Sequence, residues 1–384
     1  MIYLDNAATA KYRNVDDIIV NTITTAMKDS WMNPSSLYAV NVKDKINKCR
    51  ANIANFINAK PDEIYFTSGS SESNNWVFQG FVKQCLSEGN TPCVITSTIE
   101  HKSAMECVNN LGNVDVEYVD VDENGFVNIS QLKNLMFNRA IFDDKFLVSI
   151  QFANNEIGTI QKVKEIAEEV HRFNGVLHTD ATQVLGHIPI DVEELGIDMM
   201  SCSGHKISPV LRGIGFLYKK NGINIQPLIY GSQEQNLRGG TENTYGIIGL
   251  SKALEYCDVS IRTMDTLCRK RDYFIDSLKF VFNCKVNGHG LSRLPNNINV
   301  TFSQNIMGES LLYMLDMSGI KVSVGSACNA KSIEPSHVLK AIGLSNDEAM
   351  RTVRFSIPDD ITYEEINKVI DEIDRTIKLI ETEI

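Results

Sequence analysis

Two short apolar runs, Phe146-Leu147-Val148-Ser149-Ile150 and Gly175-Val176-Leu177-His178-Thr179-Asp180, flank a segment whose apolar residues fall at Val163, Ile166, Ala167 and Val170. That i, i+3, i+4, i+7 spacing marks one face of a helix, and Asn174-Gly175 supplies its stop. Strand, helix, strand in this order needs a parallel crossover. The chain is therefore expected to build an α/β domain, a mostly parallel sheet between layers of helices. Pro92-Cys93-Val94-Ile95-Thr96-Ser97 reads as another strand buried on both faces. Ligands on such sheets bind beyond the carboxyl ends of the strands, which is where Asp180 and His101 fall.

The pattern changes after about residue 255. Residues 296–302 and 352–357 read as alternating strands, and a last helix opens on a Thr362/Glu365 capping box, followed by Ile366, Val369, Ile370, Ile373 and Ile377. We expect a large domain over residues 15–255 and a smaller α+β domain from residues 1–14 and 256–384, with the site at their junction. No repeat, low-complexity tract or flexible linker interrupts the chain.

The 384 residues suffice for two or three cores, and 43% hydrophobic with 22% charged residues is an ordinary globular composition. A formal net charge of −11 argues against a nucleic-acid binder that works by neutralising phosphates. The N-terminus has neither a basic start nor a sustained apolar core, and no apolar run is long enough to cross a bilayer, so a cytoplasmic protein is expected. The nine cysteines show no CxxC pairs and no regular spacing, which argues against a disulfide framework and a zinc site. Most read as small buried hydrophobes. Cys328 differs, since Val324-Gly325-Ser326-Ala327-Cys328-Asn329-Ala330-Lys331-Ser332 is a small-residue loop with little to pack. A thiol there is expected to be exposed and near a positive charge, the setting that favours thiolate, although an incidental loop cysteine has the same local pattern.

Ser203-Gly204-His205-Lys206 lies between the apolar residues 197–200 and the strand-like residues 213–218. A lysine held in such a turn is partly dry and can lose its proton to condense with an aldehyde. Asp180 precedes it by 26 residues, at the end of a predicted strand. Pyridoxal 5'-phosphate needs this pair, a lysine for the aldehyde and an acid for the pyridinium nitrogen. Further segments point to the same pocket. Ser70 and Ser71 open a helix after the strand-like residues 64–67, a start that suits a phosphate and equally an ordinary serine cap. His101 follows the strand Val94–Ser97, placed to stack on a ring or shuttle protons, or to stand as a solvated loop histidine. Arg354 is mid-strand, where a guanidinium either captures a substrate carboxylate or forms a structural ion pair.

Motifs in one order along nearly the whole chain then carry a resemblance. They include Tyr3-Leu4-Asp5-Asn6-Ala7-Ala8-Thr9, Asn33-Pro34-Ser35-Ser36, Phe66-Thr67-Ser68-Gly69, Glu100-His101 and Asn154-Asn155-Glu156-Ile157-Gly158-Thr159. They continue through His178-Thr179-Asp180-Ala181-Thr182-Gln183, Ser203-Gly204-His205-Lys206, Arg238-Gly239-Gly240-Thr241-Glu242-Asn243, Gly325-Ser326-Ala327-Cys328, Glu334-Pro335-Ser336-His337-Val338-Leu339 and Arg354-Phe355-Ser356. The chain resembles a cysteine desulfurase of the NifS/IscS kind, within the class V aminotransferases of PLP fold type I. The resemblance implies that Lys206 binds the cofactor aldehyde, Asp180 pairs with the pyridinium nitrogen, Gln183 bonds the phenolic oxygen and His101 stacks on the ring. Ser70 and Ser71 would bind phosphate with Ser203 and His205, and Thr241 would reach the phosphate of the other protomer of a homodimer. Asn155 and Arg354 would hold the carboxylate of L-cysteine, and Cys328 would take its sulfur as a persulfide, for delivery to an acceptor protein. Selenocysteine lyase or another PLP enzyme on this scaffold is the alternative activity, and a weakly active scaffold for sulfur-transfer partners the alternative of another class.

Two stretches depart from the family pattern. After Lys206 the chain reads Ile207-Ser208-Pro209-Val210-Leu211-Arg212-Gly213, one residue longer than the usual aromatic and Gly-Pro-Lys-Gly turn. Arg354-Phe355-Ser356 continues as Ile357-Pro358-Asp359 where Leu-Gly-Arg is usual. The first is expected to reshape the loop beside Lys206, the second to shift the strand of Arg354 or a partner surface.

Overall fold

The computed structural model describes residues 1–141, 144–324 and 334–383. The chain opens with β1 (Ile2–Tyr3) and then builds the central sheet from β2 (Ile64–Thr67), β3 (Pro92–Ser97), β4 (Asp115–Val119), β5 (Lys145–Ser149), β6 (Val176–Asp180), β7 (Met199–Ser203) and β8 (Gly215–Lys219). Their order is β2-β8-β7-β6-β5-β3-β4, and β8 alone runs against its neighbours. Alternate side chains of each strand go to opposite faces. Ile95, Val148, Leu177 and Phe216 join one apolar cluster, while Val94, Leu147, Met199 and Leu217 join another. Helices cover both faces, so β3 and β5 are buried almost throughout, as strands of a parallel sheet must be. The crossover between β5 and β6 is the helix Val163–Arg172, whose buried residues include Val163, Ile166, Ala167 and Val170. It stops where Asn174 turns left-handed at φ 59°.

A second core surrounds β9 (Lys285–Val286), β10 (Asn297–Thr301) and β12 (Thr352–Ser356), which form an antiparallel sheet in the order β12-β10-β9, while β11 (Ile320–Lys321) pairs in parallel with β1. The helix Tyr363–Glu383 closes it. Glu365 N donates to Thr362 Oγ1 at 3.1 Å and Thr362 N to Glu365 Oε2 at 2.9 Å, and Ile366, Val369, Ile370, Ile373 and Ile377 are buried in this core. The alternation of β10 and β12 has an unexpected partner. Their polar residues do not meet water: Asn297 and Asn299 donate to Glu156 O at 3.2 and 3.1 Å, and Arg354 turns toward Asn155. The helix Thr244–Arg262 runs through position 255 and carries the chain from the first core toward the second without a loop there.

Candidate active site

Six strands of the central sheet end on one side, and the residues just beyond β2, β3, β5, β6 and β7 surround a cavity of about 440 Å³. Lys206, His205, Asp180, Gln183, His101, Ser70, Ser71, Asn155 and Arg354 all line it, drawn together from across the chain. The chain reversal between β3 and β5 falls beside it, at the point where an open α/β sheet leaves a crevice.

Lys206 ends the tight turn Gly204–Lys206 after β7, and its Nζ donates to Ala7 O at 2.6 Å and Ala8 O at 2.8 Å. Those carbonyls belong to an N-terminal arm laid across the cavity. Ala7 N donates to Ser356 Oγ at 2.8 Å, Ala10 N to His205 O at 3.1 Å, and Gln183 Nε2 to Ala7 O at 3.0 Å. Asp180 is buried at the end of β6, where its Oδ1 accepts from Thr182 N at 3.0 Å and its Oδ2 from Asn74 Nδ2 at 2.8 Å. Asn74 sits one turn inside the helix Ser70–Ser87 and fixes the carboxylate from behind. The sequence contains no mark of that role beyond its place after two serines.

The start of this helix has no side-chain cap, because its N-cap residue is Gly69 at φ 150°. A Cβ on Gly69 would stand 3.3 Å from Ser203 Oγ. The backbone thus passes close to β7, and Ser203 is tucked behind it rather than lining the cavity. Ser203 Oγ pairs with His205 Nδ1 at 2.8 Å and so orients the imidazole. Burial first, then the charges of Lys206 and Arg212, push the His205 pKa down to about 4, so the ring is neutral at physiological pH.

His101 caps the helix Lys102–Asn109: its Nδ1 accepts from Ser103 N at 3.1 Å and pairs with Ser103 Oγ at 2.9 Å. Nε2 is left for the cavity. Desolvation holds its pKa below the usual imidazole range, and Lys206 adds to that against the opposing pull of Asp180. Its neighbour Glu100 is a buried acid that the motif Glu100-His101 did not flag as separate. Ser97 Oγ bonds its Oε1 at 2.5 Å and Gln151 N both oxygens at 3.0 Å, yet burial pushes its pKa up to about 8. Glu156, also at the cavity wall, is raised by burial as well and accepts from Ser336 Oγ at 2.5 Å. His337 Nε2 lies 2.9 Å from the main-chain O of Glu100, so residues 336 and 337 are anchored to the Glu156 carboxylate and the Glu100 backbone.

Arg354 Nη2 pairs with Asp5 Oδ1 at 2.7 Å, Nη1 donates to Asn155 O at 3.1 Å, and Nε is buried with no partner among the described residues. Asp5 has its own pKa raised by burial, more than the neighbouring Arg354 lowers it. The pairing spans 349 positions of sequence, which no local pattern reports.

Thr241 is exposed and lies outside the cavity of its own chain. Cys328 lies outside the described residues. The other eight cysteines are free thiols, and burial raises the pKa of each.

The two departures from the family pattern meet at one side chain. Arg13 Nη1 pairs with Asp359 Oδ2 at 2.7 Å and its Nη2 donates to Ile207 O at 3.1 Å. Ser208, in the lengthened loop, donates to Asp16 Oδ1 at 2.5 Å. Both changes thus fasten the Lys206 loop to the N-terminal arm and helix.

The cavity suits pyridoxal phosphate. It offers an amine, a buried carboxylate whose two oxygens are already oriented, an uncapped helix start for a phosphate and a buried hydroxyl, Thr182 Oγ1, without a partner among the described residues.

The family model described as aminotransferase class-V matches residues 2–369. A cysteine desulfurase IscS from Methanosarcina thermophila is 42% identical over 96% of this chain and 90% of its own length. Another from Dictyoglomus turgidum is 40% identical over 99% and 95%. A solved NifS-like protein superposes with a TM-score of 0.88 at 31% identity, covering 98% of this chain and 99% of its own.

Proposed function

The chain belongs to the class-V aminotransferase family, and on that premise we propose that it is a cysteine desulfurase that moves the sulfur of L-cysteine onto Cys328. The observation that carries this reading is the convergence of Lys206, Asp180, the Ser70–Ser71 helix start and Arg354 on one cavity.

Lys206 would hold pyridoxal phosphate, with Asp180 at the pyridinium nitrogen, Gln183 at the phenolic oxygen, His101 over the ring and Ser70, Ser71, Ser203 and His205 about the phosphate. Bound there, the cofactor supplies an aldehyde for the substrate amine and a conjugated ring that withdraws electrons from Cα. Arg354 Nε and the Asn155 side chain receive the substrate carboxylate, which sets Cα within reach of Lys206. Once neutral, Lys206 Nζ takes up the Cα proton. His101, whose pKa desolvation holds below the usual imidazole range, lines the same cavity and would carry a proton through Nε2.

The Cys328 thiolate attacks the substrate sulfur. A sulfur–sulfur bond forms as the Cβ–S bond breaks and the bonding pair stays with Cβ; protonation at Cβ and return of a proton to Cα from Lys206 Nζ complete L-alanine. Cysteine plus the Cys328 thiol thus become alanine plus a persulfide, with no external oxidant or reductant. A sulfur-acceptor protein then takes the outer sulfur. The raised pKa values of the eight described cysteines support Cys328 as the carrier, since buried thiols with raised pKa are poor nucleophiles. Their unpaired state supports a reducing, cytoplasmic setting.

A homodimer belongs to the same reading. Trp31, Leu37, Tyr38 and Val40 are 69, 96, 76 and 61% exposed, an apolar strip that a second copy would cover, and the exposure of Thr241 suits a residue used by the partner's site. Replacing Cys328 by serine tests the carrier: the cofactor absorbance should be retained and the persulfide lost. Undiminished sulfur transfer by that variant would contradict the assignment.

A further inference from the structure

The loop from Ile229 to Thr241 contains three consecutive residues in the left-handed region, Glu234, Gln235 and Asn236, with φ of 45°, 59° and 67°. Residues with side chains seldom adopt this conformation, and three in succession require outside support. Glu234 supplies it. Its side chain is 3% exposed, and it receives Arg50 Nη2 on Oε1 and Arg50 Nη1 on Oε2, both at 2.8 Å. Phe66 N adds a third bond to Oε2 at 2.9 Å. Phe66 is in β2, four residues before the helix start at Ser70.

The rest of the loop is stitched toward Thr241. Gly239 N donates to Ile229 O at 2.8 Å and Gly240 N to Gln233 Oε1 at 3.0 Å. The loop's limbs lie so close that a Cβ on Gly239 would stand 2.2 Å from Tyr230 O. Arg238 forks onto Glu72, Nε to Oε1 at 2.8 Å and Nη2 to Oε2 at 3.1 Å, and Glu72 is in the first turn of the helix that opens at Ser70. Thr241 follows directly and is exposed.

We propose that Glu234 is a positioning residue: its buried pair with Arg50 holds the left-handed turn that presents Thr241 to the cofactor-phosphate site of a second copy of this chain. The Arg238–Glu72 pair ties the same loop to the chain's own helix start, so the element facing one phosphate also orients the arm serving the other. This rests on the reading of Thr241 given above and adds what holds it in place.

The test is a double-mutant cycle on cofactor affinity. Cofactor-free dimers of the wild type, Thr241→Ala, Glu234→Gln and the double variant are titrated with pyridoxal phosphate, with sedimentation confirming the dimer. Thr241→Ala should weaken binding about tenfold, the loss of a hydrogen bond to a charged group. Glu234→Gln should weaken it comparably, remain dimeric, and leave the double variant no weaker than the weaker single one. A role confined to local stability would make the two losses multiply. Wild-type affinity in Glu234→Gln, or multiplied losses, would overturn the proposal while leaving Thr241 in its role. Unchanged affinity in Thr241→Ala would refute the Thr241 reading and the proposal with it. Should Glu234→Gln not fold, Arg50→Lys, which keeps the charge and cannot fork onto both oxygens, is judged by the same criteria.

Discussion

Replacing Arg354 by lysine separates carboxylate capture from the rest of the site. In the structure this guanidinium is fixed by Asp5 Oδ1 and Asn155 O, which leaves Nε as the buried donor for a ligand. A lysine keeps the charge but has no planar fork, so it cannot hold those two partners and still meet a carboxylate in register. The loss is that of a hydrogen bond to a charged group in a largely dry setting, about 1.5–3 kcal/mol. At about 1.4 kcal/mol per decade this predicts a kcat/KM for L-cysteine lower by roughly 10- to 150-fold. The affinity for pyridoxal phosphate should not change, because Lys206, Asp180 and the helix start are left intact. Initial rates of alanine formation give kcat and KM, and a cofactor titration gives the control. A kcat/KM within threefold of the wild type would refute carboxylate capture by Arg354.

His178 is buried between Ser149 Oγ and Ser201 Oγ at 2.8 and 2.9 Å, and burial pushes its pKa down to about 4. The folded pKa is below the unfolded one, so the neutral ring contributes stability that is complete above about pH 6.5 and is lost as pH falls toward 4, on the order of 3 kcal/mol in all. His178→Gln should flatten the acid side of the curve of Tm against pH; an unchanged slope would contradict it. Gly175→Ala would set a Cβ 2.1 Å from the Phe146 ring. It should cost about 1–3 kcal/mol by overpacking, read from denaturant unfolding, with a midpoint equal to the wild type as the contrary result.

The parts legible in the sequence were those carried by short-range spacing. Val163, Ile166, Ala167 and Val170 announced a helix because their neighbours along the chain are also their neighbours on its face. Lys206 and Asp180 were legible because each closes a strand of a parallel sheet, whose ends share one rim. What was hidden depends on distant partners. Asp5 and Arg354, Glu156 and Ser336, and Arg50 and Glu234 stand 349, 180 and 184 positions apart and meet only through the tertiary fold. The alternation in β10 and β12 was visible, but not that its polar face would be buried against the loop of Asn155 and Glu156. Arg13 gave no signal at all, since its meaning comes from the Ile207 carbonyl and Asp359, which lie 194 and 346 positions further along the chain.

The central claim is that this cavity desulfurates L-cysteine. Its most direct test is the release of alanine and sulfide from L-cysteine by the purified protein loaded with pyridoxal phosphate, with a thiol reductant present. The account predicts alanine and sulfide in equal amounts. Alanine without sulfide, or neither product from protein that holds its cofactor, would contradict it.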